Sequence, residues 1–297
     1  MLRSRCGRRR FAAVAPTQPP WSDPTPRSSK LLALAALTRR LPDNPLVQKL
    51  QVKLLQHFLG RRSGMVTADV LGNTMTLDPA EFVDCALLFF PHLYDPAELA
   101  FMRQHLRPGD TFLDCGSHIG LYSLVASPCV GPNGRVIAVE PTPTTYARLV
   151  GHLRANGAHN VQALNIGLSD QRETLHLNLV ESGNRAANTF LQHVVPADNT
   201  VAVDCLPLAL MLERAQVTHV RGAKLDIEGF EYKVMAQFFK DAPTSLYPGF
   251  IVTEFHEALV PVMGGNILEL LQAHGYQIAL THALNFVLVY PETLYRP

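Results

Sequence analysis

The stretch that decides the fold is Thr111–Gly120, TFLDCGSHIG, together with Arg135–Pro141, RVIAVEP, further along the chain. The first segment predicts a short apolar strand that ends at Asp114, followed by a glycine turn that leads into a helix. The second predicts another apolar strand, which ends at Glu140. In open α/β sheets, ligands bind outside the carboxyl ends of such strands. The two segments therefore predict a nucleotide-type ligand site in an α/β fold.

The spacing of the glycines in this turn distinguishes between two kinds of cofactor. The turn reads D-x-G-x-x-x-G, with Asp114, Gly116 and Gly120. The dinucleotide fingerprint G-x-G-x-x-G needs a glycine where this chain has His118. A leading carboxylate suits a zwitterionic amino-acid moiety instead, and Glu140 is placed to accept both ribose hydroxyls of an adenosine. The spacing favours S-adenosylmethionine over NAD, although two glycines alone would also fit a ligand-free turn.

A second charged segment is Gly222–Glu231, GAKLDIEGFE. Alternation along a strand would place Lys224, Asp226 and Glu228 on one face. Charges buried in a sheet without partners are costly, so we expect these three at the carboxyl end of the sheet, facing a crevice. An ion-pair cluster with no reactive role is the alternative interpretation.

A third segment, Phe250–Glu257, reads FIVTEFHE and again ends an apolar strand with polar residues. Glu254 and His256 lie two residues apart and so share one face. Because the pKa of histidine is near neutrality, His256 is a candidate general base or metal ligand, or a structural histidine. With Asp226 and Glu228, these residues are the predicted catalytic groups. The spacing predicts no metal site, and a divalent cation between the carboxylates is an alternative.

From about residue 65, strand and helix patterns alternate, so we predict an open, mostly parallel sheet covered on both faces. Ahead of it, the pattern predicts a hairpin over Met65–Thr76 and a helix over Asp95–Leu106. Two extra strands are expected at Thr174–Val180 and Thr200–Cys205. The predicted core strands and closing antiparallel pair are Thr111–Asp114, Val136–Glu140, Val161–Ile166, Val217–Ile227, Phe250–Phe255, Tyr276–Thr281 and Phe286–Tyr290.

Charge divides the chain into a basic and an acidic part. Residues 1–62 carry 13 Lys/Arg and 2 acidic residues, whereas the other 235 carry 13 and 23. The acidic part argues against a nucleic-acid substrate, which needs a basic footprint. We predict three units: a disordered basic, proline-rich tail (1–30), a helical extension (31–62) and a catalytic domain (63–297). The basic face of the extension either faces water or touches a membrane surface.

Localisation is inferred from cysteines and from apolar segments. The longest apolar run near the start, Leu31–Leu37, is far too short to span a membrane. An arginine-rich, acid-poor start also suits an organelle transit peptide, so organelle targeting is the alternative to a cytoplasmic protein. The cysteines lack zinc-ligand spacing, and we expect free thiols in a reducing cytosol at Cys6, Cys85, Cys115, Cys129 and Cys205.

Five blocks, in this order, resemble the FkbM family of S-adenosylmethionine-dependent methyltransferases: TFLDCGSHIGLYSLVA, RVIAVEPTPTTYARL, NIGLSD, AKLDIEGFEYKVM and IVTEFHE. The resemblance runs from about Pro79 to Tyr290. It implies a class I methyltransferase fold, which is a Rossmann-like three-layer sandwich whose mostly parallel seven-stranded sheet has an antiparallel closing strand. It also implies methylation of a hydroxyl group on a sugar, a glycan or a natural product.

The resemblance further implies which residues contact the cofactor. Where the family has a small residue and Asn in the glycine turn, this chain has Ser117 and His118, so a contact at His118 is open. The segments Glu81–Pro96 and Glu181–Pro196 are expected to be loops that shape the pocket of a small-molecule or glycan acceptor. An NAD-dependent oxidoreductase and a non-catalytic cofactor-binding module remain alternatives, and the oligomeric state is not predicted. The implied cofactor contacts are Asp114, Gly116, Ser117, Gly120, Glu140, Ser169 and Asp170.

Overall fold

The structure, a computed structural model, describes residues 28–61, 64–179, 188–191 and 199–294. The tail predicted to be disordered falls mainly outside these residues, as do Cys6 and most of the predicted loop 181–196. Cys85, Cys115, Cys129 and Cys205 are free thiols.

Helices and strands alternate through most of the described chain, which confirms the α/β class. The amino-terminal elements are α1 (Ser28–Thr38), α2 (Pro45–Phe58), β1 (Val66–Val70), β2 (Asn73–Leu77), α3 (Phe82–Phe89) and α4 (Pro96–His105). Next come β3 (Thr111–Cys115), α5 (Leu121–Val130), β4 (Arg135–Val139), α6 (Pro143–Ala155), β5 (Val161–Leu164), β6 (Gly167–Leu168) and β7 (Glu173–Asn178). The last are β8 (Thr200–Leu206), α7 (Leu208–Arg214), β9 (Gly222–Leu225), α8 (Glu231–Asp241), β10 (Phe250–Glu254), α9 (Val260–Met263), α10 (Ile267–Ala273), β11 (Gln277–His282), β12 (Asn285–Val289) and α11 (Pro291–Leu294).

A seven-stranded sheet in the order β11-β12-β10-β9-β3-β4-β5 forms the centre of the molecule. The pairings from β10 through β9, β3 and β4 to β5 are parallel, and only β12 runs antiparallel to its neighbours. This order and direction confirm the predicted class I methyltransferase architecture. The carboxyl ends of the five parallel strands from β5 to β10 lie at one edge of the sheet, where such folds bind ligands.

Apolar side chains on both faces of the sheet give the molecule two cores and three layers. Phe112 and Leu113 are consecutive in β3, are both fully buried, and belong to different cores. Alternation along the strand sends them to opposite faces. The first core contains residues of α1, α2, α3 and the hairpin β1–β2, and the second contains residues of α7, α8 and α10. The central strands are therefore covered on both sides, as parallel sheets require.

One strand prediction differs from the structure. The predicted strand 217–227 is the four-residue β9, because the chain turns directly after it: Glu228 and Gly229 adopt φ of 54° and 102°. The two extra strands are confirmed as β7 and β8, and they do not join the main sheet. They pair with each other and with β6 in a separate three-stranded sheet, which lies in sequence between β5 and β9.

Candidate active site

The carboxyl ends of β3, β4 and β9 open into one cavity, whose space is about 720 Å³ with its mouth included. Its polar wall residues include Tyr94, Glu140, Lys224, Asp226 and Glu228. Its apolar wall residues include Val83, Ile166, Leu168, Leu177 and Phe190. A cavity of this kind suits a ligand that has both an apolar ring and charged or hydroxyl groups.

The glycine turn packs its backbone directly against the end of β9. Gly116 has φ of 79°, and a Cβ on it would lie 1.7 Å from the carbonyl oxygen of Asp226. The N–H groups of Gly116 and Ser117 donate to the Val139 carbonyl at 3.0 and 2.9 Å, which fixes the turn to β4. Glycine is therefore required at position 116 for the close approach as well as for the backbone conformation.

Two buried oxygens near this turn lack a hydrogen-bond partner among the described residues, Asp114 Oδ1 and Ser117 Oγ. The other Asp114 oxygen accepts a hydrogen bond from Ser123 Oγ at 2.6 Å. Burial raises the pKa of Asp114 above its ordinary value, although Lys224 opposes that shift. Unpartnered buried polar atoms are uncommon in folded proteins, and here they are consistent with hydrogen-bonding groups of a ligand.

Glu140 follows β4 and is buried in the cavity wall. Its Oε2 accepts the N–H of His118 at 3.0 Å, and its Oε1 accepts the N–H of Thr142 at 2.8 Å. Burial nevertheless raises the pKa of Glu140 to about 7. A carboxylate has about four acceptor positions, so both oxygens can still accept further hydrogen bonds from a ligand.

Lys224, in β9, links the glycine turn to the acidic side of the cavity. Its Nζ donates to the Gly116 carbonyl at 3.1 Å and to Asp226 Oδ2 at 2.8 Å, and lies 5.3 Å from the centre of the Tyr122 ring. Burial opposes its charge, but Asp226 and Asp114 together raise the pKa of Lys224 above its ordinary value. The ion pair expected as an alternative is therefore present, and it lies in the wall of the cavity.

The turn after β9 holds Asp226 and Glu228 at the cavity. The carboxylate of Glu231 accepts the N–H of Ile227 at 2.7 Å and the N–H of Gly229 at 3.0 Å, which stabilises the left-handed backbone at Glu228. Burial, followed by the neighbouring Asp226, raises the pKa of Glu228 well above its ordinary range. No local pattern distinguishes Glu231 from its acidic neighbours.

The four predicted catalytic residues form two pairs. Asp226 and Glu228 line the cavity. Glu254 and His256 contact each other, with Nε2 2.9 Å from Oε1; their side chains are about two-fifths exposed, and neither is part of the cavity wall. The charge of Glu254 still contributes to the raised pKa of Glu228, so the two pairs are near neighbours.

Of the seven predicted cofactor contacts, Gly116 and Glu140 line the cavity. The other five are not part of its wall. Gly120 supports the turn, since a Cβ there would meet the Leu149 side chain at 2.5 Å. Ser169 is fully buried and donates to Glu173. Asp170 pairs with Lys233 at 3.0 Å beside a different groove. Residues 166–168, which precede Ser169 in the chain, line the cavity.

Several wall residues were not singled out from the sequence. Tyr94 and Val83 belong to the segment Glu81–Pro96, which was expected to shape the acceptor pocket. That prediction named the segment but no single residue in it. The same segment was wrong as a loop, because residues 82–89 form α3, in which residues 84–89 are buried. Asn188 and Phe190 belong to the second expected loop, of which only 188–191 are described here.

Within the described ranges, no group of three or more acidic, His or Cys side chains could hold a metal ion.

Comparisons with known proteins find similarity to several methyltransferases. It is 39% identical over 57 residues to the arsenite methyltransferase of Halobacterium salinarum, a match that covers 19% of this chain and 15% of that protein's length. The precorrin-6y C5,15-methyltransferase of Geobacter metallireducens has a similar structure, with a TM-score of 0.40, 13% identity, and coverage of 66% of this chain and 88% of its own. A rRNA methylase of Streptococcus thermophilus has a TM-score of 0.37, 10% identity, and coverage of 65% and 92%.

The family is decided by the sequence itself. The model of the methyltransferase FkbM domain matches residues 114–278, more than half of the chain, from Asp114 in β3 to Ile278 in β11. This range includes the glycine turn, Glu140, Lys224 and the acidic turn after β9. The chain therefore belongs to the FkbM-domain family of methyltransferases, whose cofactor is S-adenosylmethionine.

Proposed function

We propose that this protein transfers a methyl group from S-adenosylmethionine to a hydroxyl oxygen of a sugar, glycan or natural-product acceptor. The observation that carries the proposal is the placement of Asp226 and Glu228 on the same cavity as Gly116 and Glu140. The cavity is therefore lined both by residues that suit an adenosine, Gly116 and Glu140, and by carboxyl groups that suit the transfer of a hydroxyl proton, Asp226 and Glu228. The acidic character of residues 63–297 supports a small-molecule or glycan acceptor over nucleic acid.

The described residues fit the cofactor. Asp114 Oδ1 and Ser117 Oγ lack partners among the described residues; neither lines the cavity, and they are proposed contacts of the amino-acid part of the cofactor because they belong to the glycine turn. Glu140 retains acceptor positions for the ribose hydroxyls. The apolar residues 166–168 offer a surface for the adenine ring. Ser169 and Asp170 stay proposed contacts from the family resemblance alone.

When bound, S-adenosylmethionine supplies a methyl group that its sulfonium already activates. The protein then has two tasks, alignment of the acceptor and removal of its proton, and alignment alone can be worth about 7–11 kcal/mol. Asp226 is the first candidate for the base, because it lines the cavity and its side chain is 34% exposed, within reach of an acceptor hydroxyl. Glu228, whose pKa is raised by burial and by Asp226, is the candidate hydrogen-bond donor to the acceptor. The partly exposed Glu254 and His256 are the proposed route by which the proton passes from the cavity to solvent.

The test measures cofactor binding and turnover separately. S-adenosylhomocysteine affinity is measured by calorimetry, and methyl transfer is measured by mass spectrometry with a panel of sugars, glycans and hydroxylated natural products. For Asp226→Asn we expect unchanged cofactor affinity and a turnover lower by about 10²–10⁴-fold. The matched control is Asp241→Asn, at the exposed end of α8, which should match the wild type in both measurements.

Each contrary outcome identifies a different error. If the wild type binds no S-adenosylhomocysteine, the cofactor assignment is wrong, and binding of NAD would favour the oxidoreductase alternative. Cofactor binding without transfer to any acceptor would favour a non-catalytic module. A methyl group found on nitrogen or carbon of the product would refute O-methylation while leaving the family intact.

A further inference from the structure

The outer faces of α1 and α2 expose an unusual amount of apolar surface. Among the described residues, nine large hydrophobic side chains are exposed, and five of them belong to these two helices. Leu37 is 67% exposed and Leu46 is 77% exposed. We call the exposed side chains of residues 29–61 the amino-terminal face. Its apolar members are Leu32, Leu37, Leu46, Leu50 and Val52.

The same face is strongly basic. Its exposed cationic residues are interleaved with the leucines, and the only acidic residue between positions 28 and 61 is Asp43. Asp43 accepts a hydrogen bond from Gln48 at 3.0 Å, at the start of α2. The positive charge of residues 28–61 is therefore not balanced by acidic residues of the same segment. The exposed cations are Lys30, Arg40, Lys49, Lys53 and Arg61.

Packing of the inner sides of these helices fixes which side chains point outward. Val47 and Leu55 of α2 are buried, and Phe58 stacks on Phe89 of α3 with ring centres 5.2 Å apart. From α1, Thr38 Oγ1 donates to the Phe89 carbonyl at 2.7 Å. Both helices are thus held against α3.

The outward stripe of α2 mixes leucine and lysine. Leu46, Lys49, Leu50 and Lys53 follow the spacing of one helix side, opposite the buried Val47 and Leu55. Leucine and lysine consequently project together, away from the core.

We propose that the amino-terminal face binds the surface of an anionic lipid membrane. Helices that lie in the membrane interface combine exposed leucines with lysine or arginine, and each basic residue near an anionic bilayer adds to the attraction. No helix in the described ranges is long and apolar enough to cross a membrane. The rest of the chain, with 23 acidic residues, is repelled by such a surface, so the contact is confined to this face. This inference does not depend on the proposed acceptor.

Charge argues against three other occupants of this face. Residues 1–27 carry six arginines and one acidic residue, so they do not neutralise it. A second copy would place like charges against each other. A nucleic acid would use the lysines and arginines, but it would leave the exposed leucines in contact with water.

The test is co-sedimentation of the full chain with vesicles of phosphatidylcholine alone or mixed with phosphatidylglycerol. We expect sedimentation only with the anionic vesicles and weaker binding at high salt. The variant K49Q/K53Q should bind about 25-fold more weakly, at about fivefold for each lysine. The variant L46S/L50S should also bind more weakly, because buried apolar area adds to the affinity. Matched controls are Lys240→Gln and Leu284→Ser, exposed residues elsewhere, which should bind like the wild type.

Four outcomes would overturn the proposal. These are wild-type protein that stays in the supernatant, equal binding to neutral vesicles, surface variants that bind like the wild type, and a dimer in light scattering that L46S/L50S dissociates. A duplex oligonucleotide that binds more tightly than the anionic vesicles would assign the face to nucleic acid. All variants should keep wild-type affinity for S-adenosylhomocysteine, which shows that the fold is intact and separates this result from the methyl-transfer proposal.

Discussion

At the scale of one residue, the buried carboxyl of Glu140 predicts a pH dependence for cofactor binding. Burial raises its pKa from 4.5 to about 7, so the folded protein protonates Glu140 as the pH falls through neutrality. The protonated group accepts fewer hydrogen bonds, and ribose hydroxyls are donors. We therefore expect the affinity for S-adenosylhomocysteine to rise between about pH 6 and pH 8, by at most about tenfold per pH unit below the pKa. Calorimetry at several pH values checks this expectation.

The control for this prediction is Glu140→Gln, which has no titratable group at the position. It should bind more weakly than the wild type, and any pH dependence that the ligand itself contributes should remain in it. Folding stability changes with pH in the opposite direction to cofactor affinity. The folded state holds the proton of Glu140 more tightly than the unfolded chain does. The free energy of unfolding therefore falls as the pH rises from about 4.5 to about 7. Identical pH profiles for the two proteins would contradict the assignment.

The contacts that Gly116 and Tyr94 make could not be predicted from the sequence. The spacing of the glycines predicted that Gly116 belongs to a ligand-binding turn, and the structure adds that the backbone of this turn packs against the carbonyl of Asp226. That partner is more than a hundred residues away along the chain, and no local pattern encodes it. Tyr94 is similar, because an aromatic residue next to a helix start has no local sign that it faces the cavity.

At the scale of elements, the turn after β9 determines where two acidic residues point. Glu231 is buried and accepts two backbone N–H groups of that turn. Glu231→Ala leaves both without their acceptor, at about 1–3 kcal/mol for each buried group. We expect lower stability in urea unfolding and a larger loss of turnover than of cofactor affinity, because the turn carries Asp226 and Glu228.

The conservative variant Glu231→Gln separates this positioning role from a loss of charge. Its amide oxygen can still accept the N–H of Ile227, so turnover should recover in part. Glu213→Ala, an exposed glutamate of α7, should behave like the wild type. If Glu231→Ala kept full turnover, the turn would not depend on this carboxylate.

Elements were predictable where the pattern is local. The strands before Asp114 and Glu140, the hairpin and the closing antiparallel pair follow from apolar runs and turn residues, and the structure confirms them. The end of β9 was not predictable, because a left-handed Glu228 breaks an otherwise strand-like alternation. α3 was missed because almost its whole surface is buried, which removes the polar side that marks a surface helix.

At the scale of the whole molecule, the amino-terminal elements share a core with the sheet. α1, α2, α3 and the hairpin contribute buried residues to the same core as Phe112 and Phe250. The predicted boundary at residue 62, which stays a prediction, therefore does not coincide with a boundary of the hydrophobic core. The hairpin also binds α6 through polar groups: the N–H of Thr76 donates to His152 Nε2 at 2.9 Å, and Arg148 Nη2 donates to the Thr76 carbonyl at 2.9 Å.

The buried ion pair between Arg148 of α6 and Asp84 of α3 joins these parts into one unit. Arg148→Met leaves the fully buried Asp84 carboxylate without its cation, and we expect a loss of about 3–5 kcal/mol in the free energy of unfolding. Hydrogen exchange should show α1, α2 and α6 losing protection together. The double variant D84N/R148M should recover much of the loss, since no charge stays buried, and Arg154→Met, exposed on the same helix, should cost little. If α1 and α2 lost protection while α6 kept it, the amino-terminal elements would be a separate cooperative unit.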